Sequence, residues 1–246
     1  MTRHIPSRTG VFTEELLKCL AAPTADANLE TLTSLDDGDM PMPVEPAGEI
    51  SHRWQDPIIE NLVPEGGGVL DLGCGDGKLL SRLMRTKHVC AQGVEFDQES
   101  VLRCIERGVP VFHGDLDDGL RGFPDASVDV VILEETLQTL RRPVPVLDEM
   151  LRVGRRCAVS FPNFAHWKVR KAFALGGRMP VTAALPHMWH NTPNIHLCSI
   201  RDFVDWTVSA EVRILEAYVL ADGLSRGLRE GDNLIASEAL FVLDRL

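Results

Sequence analysis

The sequence predicts an α/β protein built on a seven-stranded, mostly parallel sheet whose last strand runs antiparallel. Three observations predict it. From Trp54 onward, short runs rich in Val, Ile and Leu alternate with stretches of helical period, the β-α-β rhythm of a parallel sheet. The first such run, 69–72, stops at glycines on alternate positions, Gly73, Gly75 and Gly77. That describes a buried strand ending in a sharp turn where backbone comes close to a ligand. The final two strands have no helix between them; parallel neighbours need a crossover of about a dozen residues or more, so this pair is read as antiparallel.

In order, residues 57–62 read as a helix before the strand at 69–72, and a helix follows at 78–85. A strand at 89–95 leads to a helix over 97–107 that Gly108 stops, then to a strand at 109–114. F-P-D-A-S is a turn into V-D-V-V-I-L, the most continuous apolar run and the candidate for the sheet centre. A helix at 144–152 and a strand at 157–161 follow. Residues 164–175 read as a helix, whereas 176–198 hold three prolines and no sustained period and read as an inserted loop or lid. A helix at 200–208, a strand at 212–220, a polar loop containing glycine and a strand at 234–243 finish the chain.

With 246 residues, 44% of them hydrophobic, one substantial core is the expectation. Residues 1–50 stand apart: three basic residues face nine acidic ones, a net of −6 out of −11 for the chain. D-D-G-D and P-M-P-V-E-P cannot support a core, so this stretch is read as an acidic, flexible extension with a linker, containing at most a short amphipathic helix at 13–20. The acidic balance argues against a nucleic-acid partner, which needs a cationic face. The six cysteines show no CxxC spacing and read as reduced thiols. No basic start with an apolar run, and no stretch of about 20 apolar residues, marks an export signal or membrane span, so a cytoplasmic protein without membrane contact is expected.

Three glycines after a strand are weak evidence alone. Glu95 strengthens them, since it ends the second strand 22 positions past Gly73, where an acid accepts hydrogen bonds from ribose hydroxyls. Dinucleotide enzymes share this, so charge must choose. Asp71 and Asp76 would repel a pyrophosphate and welcome a cation. S-adenosylmethionine joins a sulfonium and an ammonium to adenosine and fits better than NAD, and the loop reads GxGxG, without the third glycine spacing of GxGxxG. Asp115 is placed to accept from the adenine amino group with the Leu116 amide facing a ring nitrogen; its other role would be a helix cap. Cys74, Phe96 and Glu134 complete the expected cofactor-binding set.

The glycine loop and its acids resemble the class I S-adenosylmethionine-dependent methyltransferases, whose Rossmann-like fold has the strand pattern inferred above. V-L-D-L-G-C-G-D-G-K-L-L, V-I-L-E-E-T-L-Q, R-V-G-R-R-C-A-V-S-F-P-N-F-A-H-W, G-R-M-P-V-T and N-T-P-N-I-H-L-C-S-I-R-D-F are more narrowly similar to the MetW family of methionine-biosynthesis proteins. The similarity runs from about residue 54 to the end, within a methyltransferase-like domain read over 51–246. It implies association with, and support of, the homoserine O-acyltransferase MetX; the expected pocket for S-adenosylmethionine or S-adenosylhomocysteine would then be placed to sense the pathway's product. A small-molecule methyltransferase is the alternative. The chain departs from the family in E-E before T-L-Q and in A-H-W where G-H-W is common; the added charge at Glu134 and Glu135 is expected to alter the pocket mouth.

No catalytic residue is assigned, because methyl transfer depends largely on in-line positioning. L-E-E-T lacks the N-P-P-Y type of loop and no Pro-Cys nucleophile appears, which argues against nucleic-acid methylation. Asn163, His166, Trp167, His187, Trp189, Asn191 and His196 gather around the inserted loop as substrate or partner candidates, with packing as the other reading of both tryptophans. His187, His190 and His196 lack a helical spacing and a nearby carboxylate, so no metal is expected. Ser160, in S-F-P-N-F, is not a nucleophile elbow.

Overall fold

The computed structural model describes residues 53–245, so the acidic extension and the helix read at 13–20 lie outside the described residues. Helix α1 (Asp56–Leu62) precedes β1 (Gly68–Leu72), α2 (Lys78–Lys87), β2 (Cys90–Glu95), α3 (Gln98–Glu106) and β3 (Val111–His113). Then come β4 (Val128–Leu133), α4 (Pro143–Val153), β5 (Gly154–Pro162), α5 (Trp167–Gly176) and α6 (Ile200–Ser209). The chain closes with β6 (Val212–Ala221), β7 (Leu224–Gly227), α7 (Asp232–Ile235) and β8 (Ala236–Arg245).

The strands form one sheet in the order β3-β2-β1-β4-β5-β8-β6-β7. β1 pairs in parallel with both β2 and β4, so the chain order reverses around the glycine loop, where open α/β sheets bind ligands. β8 runs antiparallel between β5 and β6, the reversed strand the sequence predicts. The sheet has eight strands where seven were expected. β7 returns from β6 as a hairpin in part of the stretch read as a polar loop, turning on Asp222 and Gly223 with φ of 51° and 76°. Positive φ at both central residues matches the strand twist, which is why Asp-Gly makes tight hairpins.

Both sheet faces are covered. Leu70, Leu72, Val131, Leu133 and Phe161 face one core with α4 and α6, while Val69, Val130 and Ile132 face the other with α1 and α2. Adjacent residues pointing oppositely explain the continuous apolar runs of β1 and β4. On the first face Phe203 of α6 lies 4.9 Å from Phe161 and 4.8 Å from Phe241, ring to ring, and locks α6 onto β5 and β8.

Local chemistry sets the helix starts. Asp97 caps α3 by accepting from the Ser100 amide at 2.8 Å. Ser199 and Asp202 form a capping box on α6. α5 begins at Trp167, three residues later than read, because His166 Nδ1 accepts from the Lys168 amide and sets the N-cap. Between α5 and α6 the chain has neither helix nor strand, as the prolines predict. No described helix is long and apolar enough to cross a membrane.

Candidate functional site

The glycine loop leaves β1 and is fastened to β2. Gly73 and Cys74 amides donate to the Val94 carbonyl at 2.8 and 3.3 Å. Gly73 has φ +78°, and a Cβ there would lie 2.4 Å from Thr136 Oγ1, so both backbone shape and space demand glycine. Gly75 has φ +54° and its Cβ would enter open space, leaving a bare cradle for a guest. Gly77 follows as the left-handed N-cap of α2.

Two cavities flank this loop and share Gly73, Glu135 and Thr136. The first, about 490 Å³, is lined by Glu95, Phe96, Asp115 and Leu116, with Pro193 and Ile195 as its outer wall. The second, about 500 Å³, holds Asp71, Cys74, Gly75 and Glu134. Every cofactor-binding residue read from the sequence, apart from Gly77, thus lines one cavity or the other. Cys74 lends backbone only; its Sγ lies 3.8 Å from Cys104 Sγ, and burial with nearby Asp71 pushes its thiol up.

Glu95 is bound more fully than expected. Its Oε2 accepts from the Gly75 amide at 2.8 Å, and Oε1 accepts from Phe96 and Asp97 amides at 2.9 and 2.8 Å. One acceptor direction on Oε2 remains for a ribose hydroxyl. Of the two roles read for Asp115, the structure shows the cap. Asp115 lines the cavity and caps the one-turn helix at Leu116–Asp118 by accepting from the Asp117 amide at 2.9 Å.

The second cavity mixes charges: Asp56, Asp71, Asp76, Glu134 and Glu135 line it together with Arg53, Lys78, Arg82 and Arg103. Asp71 is 3% exposed, and its Oδ1 has no partner. Burial, with Glu134 beside it and Arg53 opposing, pushes its pKa up to about 8. Glu134 Oε1 is likewise buried without a partner, although Arg53 lies 3.1 Å from its other oxygen. Glu134 therefore sits inside the pocket and not at its mouth. Two orphaned carboxylate oxygens in one cavity fit a cationic group, while Arg82, which lines the same cavity, is ion-paired with Asp56 and Glu60. Asp76 must be removed from that argument: Lys78 and Arg107 pair with it at 3.0 Å each. Burial alone would raise its pKa, but those hydrogen bonds outweigh it and hold Asp76 below the usual carboxylate range.

Residues 53–55 and Glu238 are site residues the sequence reading missed, and Glu135, read from sequence as added charge at the pocket mouth, joins them. Trp54 Nε1 donates to Glu238 Oε2 at 2.5 Å, and Gln55 Nε2 donates to both Glu135 and Glu238 at 3.3 Å. Glu135 stands where the cavities meet, with φ +52°, a costly backbone shape for a non-glycine residue. Burial, then Glu238 and Glu134, push its pKa up to about 8. The E-E dipeptide is visible in the sequence, but its partner Gln55, 80 positions away, and the Trp54–Glu238 and Gln55–Glu238 bonds, spanning 184 and 183 positions, are not.

The loop candidates separate. Asn163 is 1% exposed, and its side chain is spent on backbone: Nδ2 donates to Asn233 and Ala236 carbonyls, and Oδ1 accepts from Ala165 and Ile200 amides. It staples β5, α6 and the chain before β8, and offers nothing to a substrate or partner. His166 is occupied as a cap, and burial with Lys168 lowers its pKa to about 4. Trp167 is half-buried under Lys168 and Lys171, whose ammonium groups lie 5.4 and 5.7 Å from its ring centre. His187, Trp189 and Asn191 are exposed, and His196 is half-buried with Nε2 3.3 Å from the Arg141 carbonyl. Among the described residues no three His, Cys, Asp or Glu side chains gather as a metal site.

The fold is that of S-adenosylmethionine-dependent methyltransferases. An enzyme of that class from Thermotoga maritima superposes with a TM-score of 0.56 at 18% identity, covering 78% of this chain and 87% of its own. A TehB-like one from Corynebacterium glutamicum gives 0.54 at 15%, covering 78% and 87%. The [4+2]-cyclase SpnF gives 0.56 at 17%, covering 77% and 80%, so this fold also carries other chemistry. In sequence, the bifunctional methionine biosynthesis protein MetXA/MetW of Rhodopirellula baltica is 41% identical over 167 residues, 64% of this chain. That stretch is 27% of the relative, so this chain matches about a quarter of its length. The model of the methionine biosynthesis protein MetW family matches residues 53–243, nearly the whole described structure, and the chain belongs to that family.

Proposed function

We propose that this protein binds S-adenosylmethionine or S-adenosylhomocysteine and that it binds and supports a homoserine O-acyltransferase of the MetX type, with the ligand tuning that support. The observation that carries the partner is the relative in which MetXA and MetW form one bifunctional chain. The ligand is supported by the orphaned Asp71 oxygen beside the bare Gly75 cradle. In this reading Asp71 and Glu134 take the cationic end, Glu95 the ribose, and Asp115 with Leu116 the adenine. S-adenosylmethionine, when bound, supplies an electrophilic methyl group. The test mixes the purified protein with the acyltransferase and measures acyl transfer with and without S-adenosylmethionine. The expected result is a complex and a changed rate; neither one appearing would overturn the proposal.

Glu135 favours a second reading, a small-molecule methyltransferase. A carboxylate with a pKa near 8 where the two cavities meet is suited to take a proton from a methyl acceptor. Conversion of S-adenosylmethionine to S-adenosylhomocysteine with a metabolite mixture, lost in Glu135→Gln, would support that reading over the first.

A further inference from the structure

The segment from α5 to the start of α6 differs in character from the rest of the protein. Between Glu149 and Asp202 the sequence has no Asp or Glu, in a chain of net charge −11, while Lys168, Arg170, Lys171 and Arg178 fall on or beside α5. Among the described residues, eight of the fifteen exposed large apolar side chains lie between 173 and 197, led by Trp189 at 72% exposure. Three of the eight, Met179, Trp189 and Leu197, come together around one small cleft. Exposed apolar side chains gathered around a cleft mark a contact surface, whereas single exposed apolar residues are ordinary.

We infer that this face docks an acidic, apolar-centred surface of the acyltransferase, an inference that rests on the function proposed above. Charge complementarity selects the occupant: in a strongly acidic protein this stretch carries Lys168, Arg170, Lys171 and Arg178 with no acid near them in sequence, and like-signed partners are repelled elsewhere. A nucleic acid would need cations spaced to follow phosphates, whereas here Trp189 and Met179 share an apolar cleft and the cations fall on α5 and at Arg178, next to Met179 in sequence, the make-up of a protein interface.

The inner side of the same segment is a wall of the adenosine-side cavity. Pro193 and Ile195 line that cavity, and the Ile195 and His196 amides both donate to the Gln138 carbonyl, at 2.8 and 3.0 Å. Docking and ligand binding would therefore act on one piece of chain, and any coupling between them is the same in both directions.

The experiment measures binding of the full-length protein to a MetX-type acyltransferase at 50 and 300 mM salt, for wild type, Lys168→Glu, Arg178→Glu and Trp189→Ser, with Leu102→Ser on α3 as control. The expected result is wild-type binding that weakens with salt, at least tenfold loss in the three variants, and no loss in the control. Failure of the wild type to bind would remove the partner and the docking face together. Wild-type binding with all three variants unimpaired would overturn the docking face and leave the proposed function standing. The docking face would also be overturned if Trp189→Ser dissolved a homodimer, or if the charge variants lost only RNA or anionic-vesicle binding, while acyltransferase binding stayed intact.

Discussion

The Gly75 amide donates to Glu95 Oε2 at 2.8 Å, which ties the loop after β1 to the acid at the end of β2. Glu95→Ala therefore frees the cradle and removes the ribose acceptor together. Affinity for S-adenosylhomocysteine should fall by about 1–3 kcal/mol, as for other hydrogen bonds to a charged group. Glu95→Gln keeps one acceptor oxygen and should lose less. Titration calorimetry measures both, and unchanged affinity in a folded Glu95→Ala protein would take Glu95 out of the site.

Asp71 and Glu135 make stability depend on pH with a definite sign. Both pKa values are raised, to about 8, and burial is the leading cause. Glu134 and Glu238 are raised as well. Between about pH 4 and pH 8 the folded protein holds protons that the unfolded chain has released, so these groups reduce stability progressively as pH rises. Asp71→Asn should gain on wild type over that interval, by on the order of 1–3 kcal/mol near pH 8, and show little advantage near pH 4. The same variant should bind S-adenosylmethionine more weakly, most clearly above pH 8. Urea unfolding at pH 4 and pH 8 tests the first part; an advantage equal at both would contradict it.

What the sequence disclosed was local. The glycine loop, Glu95 and Asp115 were readable because each follows a strand at a fixed offset, and the apolar runs of β1 and β4 report burial on both faces. The β6–β7 hairpin was missed although Asp222-Gly223 is a strong turn signal, because L-S-R-G has too little alternation to read as a strand. Asp76 misled because, of its two neutralising partners, Lys78 is a near neighbour whose side chain the sequence does not aim, and Arg107 lies 31 residues on. Asn163 misled for a related reason. An Asn beside an aromatic loop reads as recognition until its bonds to residues 70 and 73 positions away are seen.

Asn163→Leu preserves approximate volume but strands two carbonyls and two amides that the asparagine now pairs. A stability loss of about 2–4 kcal/mol is expected, since buried groups left unsatisfied cost more than an average hydrogen bond contributes. Because the residue faces neither cavity, S-adenosylhomocysteine affinity of the folded fraction should stay within about twofold. Thermal unfolding with calorimetry at low temperature separates the two effects.

Gly73 and Gly75 share a left-handed backbone but differ in surroundings, and that difference predicts opposite failures. In Gly73→Ala the new methyl collides with Thr136, which also stands between the two cavities. Its cost combines positive-φ strain with overpacking, about 2–4 kcal/mol in all, and should appear as lost thermal stability. In Gly75→Ala the methyl meets nothing, so the fold pays about 1 kcal/mol for the backbone alone. Yet that methyl projects where the guest must approach, so ligand affinity should drop at least tenfold while the unfolding temperature moves little. If Gly75→Ala bound S-adenosylhomocysteine as wild type does, the ligand would not lie against the loop, and the cradle would be only a turn.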